Sequence, residues 1–166
     1  MITHFYKRSI FSIVITVFLI LLPRLAFGQT SGNHRITVIV NPVTVMQIST
    51  GTVNLNITGA NAIAGQDQMS VIDQSSVLLW GTNSSLRKIT IKTNLTPQIF
   101  AVNALAINPT YGTAATEATL STTDQDFLRD IARSSGSANV RYTGIALASQ
   151  GTGSDSHLIT LTIVAQ

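Results

Sequence analysis

Downstream of residue 28 the chain carries two histidines, His34 and His157, and seven carboxylates: Asp67, Asp73, Glu117, Asp124, Asp126, Asp130 and Asp155. Acid–base, nucleophilic or metal chemistry would have to draw on these side chains. A glycosidase needs two carboxylates flanking one bond. Here Asp124, Asp126 and Asp130 fall on a predicted helix, and the other four acids stand singly in or beside loops and turns. The two histidines sit at the starts of the first and last predicted strands. Pairing of those strands would bring them together, but no third ligand is evident, so both read as ordinary edge histidines rather than a metal centre. Asp67-Gln68 and Ser154-Asp155-Ser156 lack the dense alternating oxygen ligands of a calcium loop. No G-x-S-x-G, H-E-x-x-H or P-loop occurs. The sequence therefore predicts no catalytic residue, no metal site and no cofactor.

Binding is better served. Downstream of residue 28, Trp80, Tyr111 and Tyr142 are the tryptophan and tyrosine rings, each with a polar handle, and aromatic platforms hold sugars on many β-sandwiches. Tyr111 in Asn-Pro-Thr-Tyr-Gly and Trp80 are the ligand-stacking candidates, with a glycan as partner. Val77, Leu78 and Leu79 before Trp80 favour a core tryptophan, which leaves Tyr111 as the better exposed of the two. Three tripeptides, beginning at Asn56, Asn83 and Asn94, match the glycosylation acceptor pattern, as chance alone produces in a chain rich in Asn, Ser and Thr.

The elements that must position these residues begin after a leader. Lys7 and Arg8 precede an apolar run from Ile10 to Leu22, and Ala26-Phe27-Gly28 supplies a small-x-small site. That order predicts a cleavable signal peptide over 1–28 and a single exported domain over 29–166, located outside the cell or at its surface. The apolar run is shorter than the roughly 20 residues a bilayer span requires, so no membrane association is expected after cleavage. Loss of Lys7, Arg8 and Arg24 leaves seven basic side chains beside the seven acids, and no basic face for nucleic acid. With no cysteine the exported chain forms neither a disulfide nor a lipid-modified N-terminal cysteine, so its stability rests on its core.

The apolar pattern has period two. In Gly51–Gly59, Val53, Leu55 and Ile57 alternate with Thr52, Asn54, Asn56 and Thr58. The beat recurs in HRITVIV (34–40), VTVMQIS, VLLWG, RKITIKT, IFAVNALAI, EATLS, ANVRYTGIALA and the terminal ITLTIVA. Asn41-Pro42, Asn108-Pro109, Tyr111-Gly112 and Gly151-Thr152-Gly153 supply turns. The expected fold is an all-β antiparallel sandwich of eight or nine short strands. One short connecting helix is expected in STTDQDFLRDIARSSG, with Thr123 as cap and Phe127, Leu128 and Ile131 on one face. Residues 60–76, without clear periodicity, read as a loop holding at most a weak turn or strand.

Ile159, Leu161 and Ile163 should face the core, and the last strand is expected to pair along most of its length as a central or near-central strand beside ANVRYTGIALA. A second arrangement completes the sheet only when copies add strands to one another, for which HRITVIV is suited and poorly protected by charge. Together the leader, TVNLNIT, LLWGTNSSLRKITIKTN, STTDQDFLRD and ITLTIVAQ resemble small exported bacterial β-sandwich proteins of unassigned function, and more distantly fimbrial and surface-adhesion subunits. The resemblance implies a non-catalytic structural or adhesive surface protein, self-associating through an edge strand or meeting a cell-surface partner. A carbohydrate-binding module of the sandwich type is the alternative.

Overall fold

The computed structural model describes residues 31–166 apart from Thr50. The expected leader, residues 1–28, lies outside them. The chain divides into two units, Met1–Ile39 and Val40–Gln166. In the first, residues 31–39 are exposed and carry no strand.

The second unit is an antiparallel β-sandwich. Its strands are β1 (Thr44–Ile48), β2 (Gln68–Thr82), β3 (Arg87–Thr93), β4 (Ala101–Ile107), β5 (Thr113–Ala114), β6 (Ala118–Thr119), β7 (Gln125–Ile131), β8 (Ser134–Leu147) and β9 (Ile159–Ala165). One sheet has the order β1-β2-β8-β4-β6 and the other β5-β7-β3-β9. Helical structure among the described residues is confined to two 3-10 turns, Gly59–Asn61 and Ala148–Gln150.

Alternation builds the inner faces. Val102, Ala104 and Ala106 on β4 and Ala138, Val140 and Tyr142 on β8 point inward, against Ile89, Ile91, Phe127 and Leu128 of the other sheet. Such burial stabilises each large aliphatic side chain by about 1.5–3 kcal/mol. Where Trp80 needs width, the residue paired with it on β8 is Gly136.

Four expectations need correction. The helix is absent: Gln125–Ile131 is β7. Its pairing with β3 shifts twice, between Arg87 and Ile89 and between Ile89 and Thr90. Asp130 takes a left-handed φ of 57°. These irregularities bury Phe127, Leu128 and Ile131 together, a spacing that imitates one helical face. Second, most of the expected loop over 60–76 belongs to β2, which starts at Gln68 and bulges between Asp73 and Ser76. The polar run Asp73 to Ser76 hides the alternation of Met69 and Val71.

Third, neither HRITVIV nor Gly51–Gly59 forms a strand. In the latter the alternation is real as burial: Val53 and Leu55 pack against the core, and Leu55 lies over the inner face of β8 at Gly144. A Cβ at Gly144 would stand 3.1 Å from that of Leu55. The exposed Thr52, Asn54 and Asn56 leave this backbone to water instead of a ladder. Fourth, β9 is not central and does not pair with β8. It is an edge strand, hydrogen-bonded to β3 from Thr93↔Ile159 to Arg87↔Ala165.

Candidate interaction surface at an open sheet edge

Each described carboxylate has a structural partner. Asp67 accepts from the backbone N–H and hydroxyl of Ser149, and Asp73 likewise from Ser75. Glu117 pairs with Arg141, Asp124 with Lys92, and Asp126 with both Lys88 and Arg129. Asp130 accepts from the Gln166 amide, whose oxygen in turn accepts from the Asp130 N–H. The hydrogen bond from Lys88 holds Asp126 below the ordinary carboxylate range, and Arg129 adds to the effect. Glu117, Asp124, Asp126 and Arg129 do share one feature that the sequence did not show, a shallow polar groove of about 610 Å³. Its acids are engaged by the cations just named.

Asp155, His157 and Thr93 form a second cluster. His157 Nδ1 lies 3.1 Å from Thr93 Oγ1, and its Nε2 lies 3.9 Å from Asp155 Oδ2. The order hydroxyl, imidazole, carboxylate matches that of a hydrolase, but the geometry does not. Thr93 is 2% exposed, so no substrate reaches its hydroxyl. The 3.9 Å separation exceeds hydrogen-bond range, and Asp155 Oδ2 already accepts the backbone N–H groups of Ile99 and Phe100, both at 2.8 Å. The cluster ties the chain entering β9 to β3 and to the segment before β4. His34 is exposed in the 31–39 segment. No group of three or more His, Asp or Glu is placed to hold a metal among the described residues.

Of the stacking candidates, Trp80 is 3% exposed and Tyr111 55%. The tryptophan is core, and its ring face is not available to a ligand. Tyr142 is also buried, and that burial, with Asp73 opposite it, pushes its hydroxyl up to about 12. An acid raised on folding contributes stability below its unfolded value and loses it as the pH rises. The loss should begin near pH 10, where the unfolded phenol titrates, and be complete near 12, amounting to about 2–3 kcal/mol. The stability difference between wild type and Tyr142→Phe, measured in urea, should be flat below pH 10 and change by that amount above it. A flat difference throughout would contradict the burial of the hydroxyl.

The feature that remains is β9. Asn94 donates its N–H to the Leu158 carbonyl at 3.2 Å, and Gln166 donates to the Leu86 carbonyl at 2.8 Å. Hydrogen-bonded pairs recur at every second residue of an antiparallel ladder. Thr160, Thr162 and Val164 therefore exchange bonds with β3, and Ile159, Leu161, Ile163 and Ala165 turn their N–H and C=O groups to the open side. The side chains of Ile159, Leu161 and Ile163 are the ones that lean on the core, and they are only partly buried. The strand has no charged residue, proline or bulge over its seven positions. Natural edges are normally blunted by such devices. That lack, combined with an edge position, is the anomaly.

Compared with models of protein families and with curated proteins, the chain matches none. Its function must be argued from its own surface.

Proposed function

We propose that the protein is an exported, non-catalytic structural or adhesive component of the cell surface, whose copies associate through the open edge of β9. One observation carries this reading. The outward backbone groups of β9 belong to the same residues whose apolar side chains are incompletely covered, so a single added strand would satisfy both. The carboxylates held by structural partners, the sealed Thr93 hydroxyl and the lack of any catalytic motif support the non-catalytic half of the proposal. The apolar stretch after Lys7 and Arg8 supports export. A sugar-binding role would rest on Tyr111 alone, since Trp80 and Tyr142 are buried, and one ring is a weak platform.

Sedimentation of the exported protein over a wide concentration range tests the proposal. Wild type should grow in mass with concentration. Thr160 and Thr162 are exposed on the outer face of β9, so the double variant Thr160→Lys, Thr162→Lys places cations on the edge without touching the core. It should weaken association by at least about tenfold, or 1.4 kcal/mol, and shift unfolding by less than about 0.5 kcal/mol. A strict monomer that binds glycans would overturn the reading.

A further inference from the structure

We infer that the end of the sandwich where the β2–β3 and β7–β8 connections lie side by side docks an acidic peptide segment of a partner protein, with Arg87 as its anchor. The inference concerns a surface other than the open side of β9 and does not rest on the association read there. Two ladders bring the connections together. Arg87 at the start of β3 pairs with Ile131 at the end of β7, and Thr82 at the end of β2 pairs with Ser134 at the start of β8. Residues 83–86 and 132–133 therefore cross between the sheets as neighbours.

Charge selects the partner. Within the sandwich unit Lys88, Lys92, Arg129 and Arg141 each pair with an acid. Arg87 and Arg133 have no ion-pair partner among the described residues, and both stand at this end. The acid beside Ile131, Asp130, is taken by the Gln166 amide. Arg133 is exposed and bathed in water. Arg87 is not: it shares the inward phase of the buried Ile89 and Ile91, is itself half-buried, and its Nε is sealed from solvent without a hydrogen-bond partner. A sealed cationic N–H is costly until an acceptor reaches it, and the planar guanidinium fork suits a carboxylate. Next to it Leu86 is 66% exposed and takes a left-handed φ of 54°, a strained conformation for a residue with a side chain. Its carbonyl accepts the Gln166 N–H at 2.8 Å, which helps hold the turn. The strained turn thus shows a large apolar side chain beside an unpaired cation. A carboxylate with an apolar neighbour complements both, and a peptide carries that combination where an acidic polysaccharide does not.

The probe is a short fluorescein-labelled peptide of glutamate and leucine spaced by serine, titrated with the exported protein and followed by anisotropy. It should bind at low salt and be released as salt rises, and the same peptide with glutamine for glutamate should not bind. Arg87→Leu keeps the apolar stem and removes the charge, so it should weaken binding by at least about tenfold, the loss of one charge-assisted hydrogen bond. The exposed changes Arg133→Ser and Leu86→Gly should each weaken it by about threefold. None of the three should lower the unfolding midpoint, since glycine takes a left-handed φ without strain and Arg87→Leu removes an unpartnered N–H. Wild type that ignores the acidic peptide overturns the inference, as does a folded Arg87→Leu protein that binds it equally well. If Arg87→Leu unfolds, the exposed changes decide: undiminished binding in both makes Arg87 a lid on its own core, and weakened binding in both upholds the docking site. Polygalacturonate, which offers carboxylates without apolar side chains, should compete poorly at equal charge; equal competition would overturn the assignment to a peptide. Arg87→Leu should sediment like wild type, so a monomeric wild type that still binds the peptide would sink edge association and leave this inference standing.

Discussion

Replacing Gly136 by alanine should destabilise the protein by about 3 kcal/mol, the upper end of the usual cost of overpacking a core. Gly136 faces Trp80 across the β2–β8 ladder. A Cβ there would stand 2.5 and 2.7 Å from two carbons of the indole and 2.9 Å from the Thr110 hydroxyl. The indole is enclosed and cannot swing into solvent. Thr110 is held as well, donating to the Ser137 carbonyl and accepting the Ser137 N–H at 2.8 Å. The strain must therefore be met by moving β8, the strand that joins β2 to β4. Trp80 is the only tryptophan in the chain, so its fluorescence reports the shift directly, moving to longer wavelength as the ring meets water. Shortening the ring should relieve the clash. The double variant Trp80→Phe, Gly136→Ala should lie at least about 1 kcal/mol above the sum of the single changes in a double-mutant cycle. Additive effects would mean that Gly136 is needed for its backbone and not for the space it leaves.

That pair also shows why some of the fold could be read in the sequence and some could not. Alternation in RKITIKT and in the β8 segment, with turn residues on either side, locates β3 and β8 closely because each strand has one face on the core. The same beat over Val53, Leu55 and Ile57 reports burial truthfully but says nothing about pairing, which depends on whether a neighbouring backbone happens to be within reach. Phe127, Leu128 and Ile131 mislead for the opposite reason. The two pairing shifts in β7 and the left-handed Asp130, held by Gln166, change the period of the strand. No local rule anticipates an irregularity fixed by a residue 36 positions away. The candidate surface was half legible. The greasy, uncharged character of ITLTIVA is plain in the sequence, whereas the edge position of β9 is a property of strand order alone. Likewise, the grouping of Glu117 with Asp124 and Asp126 appears only once β6 and β7 are placed.

Asp155 offers the second large effect, and one that connects stability with the edge. Its side chain is 9% exposed and receives two backbone N–H bonds from Ile99 and Phe100, both at 2.8 Å. Hydrogen bonds to a charged group contribute about 1.5–3 kcal/mol each, and removing the acceptor leaves both donors unsatisfied. Asp155→Ala should therefore cost about 3–5 kcal/mol by urea unfolding. Asp155→Asn keeps an oxygen able to accept both amides and should cost about 1–2 kcal/mol. The two variants also separate a general loss of stability from a local one. Asp155 stands four residues before β9, and His157, between them, reaches Thr93 at the end of β3. Loss of the anchor should accelerate amide exchange at Ile99, Phe100 and the first residues of β9 before it does so at β8, whose ladders to β2 and β4 lie in the other sheet. An edge that frays at its start is a poorer template for an added strand, so Asp155→Ala should also lower self-association where Asp155→Asn retains most of it. If the alanine variant unfolds within 0.5 kcal/mol of wild type, the two amides have another acceptor and Asp155 is free for a different role. If it loses stability uniformly while association is unchanged, the start of β9 is not where the neighbouring strand takes hold.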